Sequence, residues 1–167
     1  MAVRPIVRYP DAVLKTPAGE VEPGPDTDAL CRDLVDTMRA SPACVGLAAP
    51  QIGESRRAFC LDVSGHKKAQ SAHGLVVMLN PVIVARRGRA VVREGCMSLP
   101  DFTANVARAE EIVVEGLDPE LRPLRIEASG FEARAFQHEI DHCDGALFLD
   151  RVASLTSDVF QRKRYAR

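Results

Sequence analysis

Apolar positions in this chain fall into two different periods. Leu30, Leu34, Val35 and Met38 recur at the three- and four-residue spacing of one helix face. Asp26 or Thr27 is placed to cap the open N–H groups of that helix, and Ser41-Pro42 ends it. Residues 15–25, KTPAGEVEPGP, are rich in proline and glycine and read as the loop before it. The middle of the chain changes to short β-forming runs at 58–63, 75–79, 82–85 and 90–93, each broken by Gly or Pro. Residues 111–117 alternate weakly, and 123–128 follow a turn at Asp118-Pro119, so these two runs are expected to pair as an antiparallel hairpin. A further helix is expected over 130–143, stopping at Asp144-Gly145. A basic helix is expected from Ser157 onward. The pattern predicts an α+β fold in a single domain, 1–167: antiparallel or mixed β-sheets packed around a central helix at 130–143, plus a C-terminal helix.

Composition narrows the function classes. The 167 residues suit one hydrophobic core, with no internal repeat or low-complexity stretch. A formal net charge of −1 gives no global attraction to nucleic acid or an anionic membrane. No apolar run approaches the roughly 18 residues that span a bilayer. The start, MAVRPIVRYPDAVL, lacks both the apolar core of a signal peptide and an Arg/Ser-rich presequence, so a cytoplasmic location is expected. The five cysteines, Cys31, Cys44, Cys60, Cys96 and Cys143, are odd in number and irregularly spaced. They are read as reduced, each a core filler, a metal ligand or a nucleophile.

Three stretches carry candidate chemistry. In QHEIDH (residues 137–142), His138 and His142 stand four apart on the helix expected there, so both can reach one divalent ion. Glu139, on a neighbouring angle, can reach a water on that ion without being a ligand. A catalytic metal normally has three protein ligands and one open position. The third candidate is Asp144, Asp150 or Asp158 downstream, or Cys96 of EGCMSLP (94–100) upstream. Cys96 is either a small buried hydrophobe or a thiolate ligand. In ACVGLAAPQIG (43–53), small residues permit close backbone approach, and the Gln51 amide can stabilise an oxyanion; a tight helix–strand connection predicts the same residues. HExxH alone also fits a zinc endopeptidase, although no downstream residue has a recognised third-ligand spacing. A purely structural metal would call for a fourth protein ligand.

Taken together, the three stretches resemble the peptide deformylase family, which carries GxGLAAxQ, EGCxS and QHExDH in this order. Here they stand as CVGLAAPQ, EGCMS and QHEIDH, and IVRYPDAVL, NPVI and ALFLDR extend the likeness over nearly the whole chain. The resemblance implies a metal-dependent hydrolase that removes the N-formyl group from formylmethionine of nascent polypeptides and releases formate. It implies Cys96, His138 and His142 as metal ligands, with Fe(II) in the cell and zinc, nickel or cobalt able to take the site. It implies that metal-bound water attacks the formyl carbon with Glu139 as general base and then acid. Gln51 and the backbone N–H of Met97 would form the oxyanion hole. Val45, Gly46, Gly95, Phe131, Ala135 and the stem of Arg134 are expected to line the methionine slot, with core packing the competing reading for each. Substrate backbone is expected along the extended segments around Gly46 and Leu99.

The implied partners are N-formylmethionyl nascent peptides, with no membrane and no specific nucleic-acid sequence. The basic end QRKRYAR (161–167) reads as a helix end whose cations suit the dipole, or as a transient ribosome contact. Asp141 is expected to pair with Arg108, and Glu94 to orient a histidine or a main-chain N–H. The chain departs from the family pattern at Cys44 (usually Gly), Met97 and Cys143 (usually Leu). It also has Asp101-Phe102-Thr103 where many bacterial members place an Arg.

Overall fold

Two helices and two antiparallel sheets form from these runs, and the computed structural model describes them over residues 2–162. In chain order the elements are α1 (Pro25–Ala40), β1 (Gly46–Ala48), β2 (Ala58–Leu61), β3 (Val76–Arg87), β4 (Ala90–Cys96), β5 (Leu99–Arg108), β6 (Glu111–Leu117), β7 (Pro123–Ser129), α2 (Gly130–Cys143) and β8 (Val159–Gln161). One sheet has the order β1-β2-β3-β6-β7 and the other β4-β5-β8.

The hydrophobic register explains the layering. All of β2 is buried, because Phe59 and Leu61 face the cluster holding Phe136 and Ile140 of α2 while Ala58 and Cys60 face Leu30, Leu34 and Met38 of α1. A strand covered on both faces reads as a continuous apolar run. Phe59 and Phe136 meet edge to face at 5.8 Å, a preferred aromatic geometry. Cys31 and Cys60 fill the α1 side, Cys143 fills the α2 side, and all five cysteines are free of disulfides. A third cluster joins Cys96, Leu99 and Val106 of the smaller sheet to Leu14 and Phe148.

Several expectations are corrected. Helix α1 starts at Pro25 rather than at an Asp26 or Thr27 cap, since proline's fixed φ suits the first helical position; Thr27 Oγ1 donates instead to Glu22 O. The runs at 75–79 and 82–85 are one strand, β3, whose register shifts across Asn80-Pro81. That bulge accommodates a proline without a ladder N–H, and Asn80 holds it by bonding both the N–H and the C=O of Val21. Strand β5 was not expected. The C-terminal helix from Ser157 is not formed over the described residues: Val159–Gln161 adds to the edge of β5, opposite Phe102, Thr103 and Ala104. Two β-formers, Val159 and Phe160, lie beside an open strand edge and pair with it. The expectation for 163–167 lies outside the described residues. Among the described residues, no helix is long and apolar enough to cross a membrane.

Candidate metal centre

Helix α2 brings Gln137, His138, Glu139, Asp141 and His142 to the smaller sheet, and a side-chain amide fixes its rotation. Gln137 accepts from Ala109 N and donates to Ala109 O, both at 2.9 Å. Opposite it, β4 and β5 turn back on each other, with Cys96 paired to Leu99 at the turn. Cys96 Sγ thereby lies 3.4 Å from His142 Nε2. Donor atoms of Cys96, His138 and His142 all fall within 4.8 Å of one another, the one such group of its kind among the described residues. Downstream aspartates do not join it: Asp144 pairs with Arg57, Asp150 with Lys15 and Leu147 N, and Asp158 with Ser154 N.

The donor set fits a borderline-soft divalent ion. With metal–nitrogen bonds of about 2.1 Å and metal–sulfur of about 2.3 Å, tetrahedral ligands stand about 3.6 Å apart, close to the Cys96–His142 spacing. Three ligands leave one position open, as in catalytic rather than structural sites.

Outer contacts orient the ligands. His138 Nδ1 lies 2.8 Å from Glu94 Oε1. Arg108 donates to both Glu94 oxygens at 2.7 and 2.9 Å and to Asp141 at 2.6 Å, as expected for the Arg108–Asp141 pair. Arg151, not expected from the sequence, also binds Asp141. His142 Nδ1 is buried without a partner among the described residues.

Electrostatics follow from these neighbours. Burial opposes ionisation of Cys96, but His142 and His138 beside it hold the thiol well below its ordinary range, which favours the thiolate. Burial also opposes charge on His138, yet Cys96 and Glu94 draw its pKa upward. Despite burial, Arg108 and His138 hold Glu94 down to about 2. Glu139 is pushed up, chiefly by burial, with the two imidazoles restraining the rise. A buried carboxyl tuned upward is suited to exchanging protons near neutrality.

The centre opens into a cavity of about 580 Å³. Val45, Gly46, Gly95, Phe131, Arg134 and Ala135 line it, together with Gln51, Met97, His138 and Glu139. Leu99 does not: its side chain is buried with Leu14 and Phe148. A Cβ on Gly46 would come within 2.9 Å of Glu139 Oε2, so any side chain there would press on the carboxylate. Gln51 Oε1 is occupied by Ala48 N at 3.0 Å, which turns Nε2 toward Cys96 Sγ at 3.6 Å and Ser98 Oγ at 3.2 Å. Cys44 is half-buried, and its thiol, pushed up to about 12 by burial and then by Glu139, donates to Gly46 O.

Other lining residues were not legible in the sequence. His66, Lys67 and Lys68 come from the segment between β2 and β3, and His66 stacks on Phe131 at 4.4 Å. His73 N and Nδ1 bind the buried Glu132 at 2.7 and 2.6 Å, clamping that segment to α2. A charged residue on the apolar side of α2 was the available signal for Glu132. Buried Ser98, the partner of Gln51, lay within EGCMS.

Comparison with known proteins agrees with this geometry. The pattern of the family described as polypeptide deformylase matches residues 3–158. The chain is 41% identical over 164 residues to the peptide deformylase of Thermodesulfovibrio yellowstonii, covering 98% of this chain and 97% of that one. It resembles the crystal structure of a peptide deformylase from Legionella pneumophila with a TM-score of 0.83 and 40% identity, over 92% of this chain and 88% of that one. It also resembles the Met-Ala-Ser-bound crystal structure of the class I type b peptide deformylase from Acinetobacter baumannii, with a TM-score of 0.80 and 30% identity, over 90% and 99% of the two chains.

Proposed function

This chain belongs to the peptide deformylase family and removes the N-formyl group from nascent polypeptides, and we propose that Cys96, His138 and His142 hold the metal while Glu139, Gln51 and Met97 carry out the proton transfer and charge stabilisation. The observation that carries the assignment is the convergence of three donors within 4.8 Å beside a cavity that Glu139 and Gln51 also line. Fe(II) is the proposed ion in the cell, with zinc, nickel or cobalt able to take the same thiolate and imidazoles. Helix α2 is the proposed centre of the fold, with both sheets arranged around it.

When bound, the ion supplies Lewis acidity, acidifying a water and polarising the formyl oxygen. Glu139 takes the proton of the attacking water on its carboxylate and returns it to the leaving amine nitrogen. Gln51 Nε2–H and the Met97 backbone N–H donate to the oxygen as it gains negative charge. The Oε1 contact to Ala48 N fixes the Gln51 amide in the donating orientation. Val45, Phe131, Ala135 and the stem of Arg134 form the apolar slot for methionine. A formyl carbon bears only hydrogen, so a tight site admits it and rejects larger acyl groups. Gly46 and the segment around Leu99 offer backbone to an extended peptide, the Leu99 side chain being committed to the core. The Met-Ala-Ser bound to the Acinetobacter baumannii relative supports a peptide in this cavity. The proposed location is the cytoplasm, on emerging chains, with the ribosome contact assigned to the basic C-terminus.

The test is formate release from formyl-Met-Ala-Ser by Fe(II)- or Ni(II)-loaded protein prepared without oxygen. Release that disappears in Glu139→Ala, with the metal retained, establishes the assignment. Full activity in Glu139→Ala would remove Glu139 from the reaction.

A further inference from the structure

The mouth of the cavity carries five cations on two banks. Lys67 and Lys68 stand on one bank with Arg134 of α2, and Arg93 of β4 stands on the other. Arg162, just past β8, completes the second bank: its guanidinium lies over Gly95, where a side chain would collide with it. Among the described residues, none of the five is in an ion pair. Glu94 and Glu139 are the two carboxylates that line the cavity. Glu94 is already bound by Arg108 and His138, and Glu139 is buried deep in the centre. In a chain with a net charge of −1, this is a local concentration of unmatched positive charge.

Both banks are held in position. His66, stacked on Phe131, accepts at Nδ1 from Lys68 N at 3.1 Å, and its backbone bonds to Val63 and Ala69 close the turn that carries the lysines. His73 on Glu132 anchors the far end of the same segment. Arg134 lies over the Phe131 ring at 5.6 Å. Across the mouth, Arg93 lies 3.7 Å from the Phe160 ring centre and donates to Asn105, while Arg162 N bonds to Asp101 O at 2.7 Å.

We propose that this rim is a subsite for carboxylate side chains, so that the enzyme favours formylated chains with acidic residues directly after the methionine. The inference rests on the proposed placement of formyl at the metal and methionine in the slot beside Phe131. The residues that follow then leave the cavity between the two banks, where an Asp or Glu meets cations from either side. Exposed charges act at modest strength and are weakened by salt.

The test compares kcat/KM of the metal-loaded full chain for formyl-Met-Glu-Glu, formyl-Met-Ala-Ser and formyl-Met-Lys-Lys, at low salt and at about 0.5 M salt. The glutamate peptide should exceed the alanine peptide by about fivefold to tenfold at low salt, with the lysine peptide lowest and the differences shrinking in salt. Lys67→Glu with Lys68→Glu, and separately Arg162→Glu, should reverse that order, whereas Lys67→Arg with Lys68→Arg should keep it. A purely structural role would lower all three peptides together. Calorimetric binding of the products Met-Glu-Glu and Met-Ala-Ser reads the rim without turnover. Equal kcat/KM and equal product affinities for the acidic and neutral peptides overturn the subsite and leave deformylation standing. Product preference without turnover of any peptide supports the rim and overturns the placement of the reaction.

Discussion

Glu94 and His138 form a carboxylate–imidazole pair, Oε1 to Nδ1 at 2.8 Å, at the edge of the metal centre. Nδ1 is thereby the donor, which leaves Nε2, facing Cys96 and His142, as the atom that binds the ion once it has given up its proton. Arg108 ties the carboxylate into a larger unit by bridging Glu94 and Asp141, and Asp141 sits in α2 between the two histidine ligands.

Glu94→Ala should weaken metal binding by about 10–100-fold, the usual consequence of losing an imidazole's supporting partner. Glu94→Gln, which keeps an oxygen for Nδ1–H, should recover part of that loss. Competition against a chromophoric chelator measures both. Equal affinity in the wild type and Glu94→Ala would mean that something else sets the His138 tautomer.

Gly46→Ala should lower kcat/KM by about tenfold to a hundredfold while metal content stays at the wild-type level. The new methyl would sit 2.9 Å from Glu139 Oε2 and 3.0 Å from its Cγ. Glu139 must then move, and a displaced general base forfeits part of a contribution of about 10²–10⁴ in rate. Kinetics paired with metal analysis checks this; unchanged kinetics would show that Glu139 has room to yield.

How much was legible depended on whether local pattern or tertiary pairing decided each element. Helix α2 was legible because Asp144-Gly145 marks its end and His138 and His142 stand at helical spacing within it. Strand β2 was legible because burial on both faces leaves an unbroken apolar run. Strand β5 was hidden, since Pro100, Asp101 and Asn105 interrupt any alternation and the partner β4 determines its conformation. Val159-Phe160, followed by a basic run, read as a helix end; an available strand edge overrode that. In the site, His138, His142 and Glu139 were legible through their helical spacing, and Cys96 and Gln51 only through the resemblance carried by the three ordered motifs. Lys67 and Lys68 were not, because their place at the cavity depends on His66 stacking on Phe131 and on Glu132 holding His73.

Metal uptake at neutral pH should release about one proton, drawn from His138 rather than from Cys96. The imidazoles draw the Cys96 thiol downward and favour its thiolate, whereas Cys96 and Glu94 draw His138 upward and favour its protonated ring. Affinity should therefore fall as pH drops below the His138 value. Calorimetric metal titrations in buffers of differing ionisation heat count the protons. Release of no proton would mean that His138 is neutral in the metal-free protein.

Acid should destabilise the metal-free protein through Glu94. Its pKa is about 2 in the fold against 4.5 as the ordinary value, because Arg108 and His138 outweigh burial. A depressed carboxylate contributes stability above its unfolded pKa and loses it as pH falls toward the folded one. Between about pH 5 and pH 3 this amounts to a loss of roughly 2 kcal/mol, and Asp141, also held down by Arg151 and Arg108 despite burial, acts in the same direction. His138 is protonated in both folded and unfolded chains over this window and adds no slope. Glu139, raised chiefly by burial and least by Glu94, slopes the other way in both wild type and variant. Urea midpoints of wild type and Glu94→Gln at the two pH values isolate the Glu94 contribution. The wild type should lose roughly 2 kcal/mol more than the variant. Parallel losses in the two proteins would show that the Arg108 pairing leaves the Glu94 carboxyl at its ordinary strength.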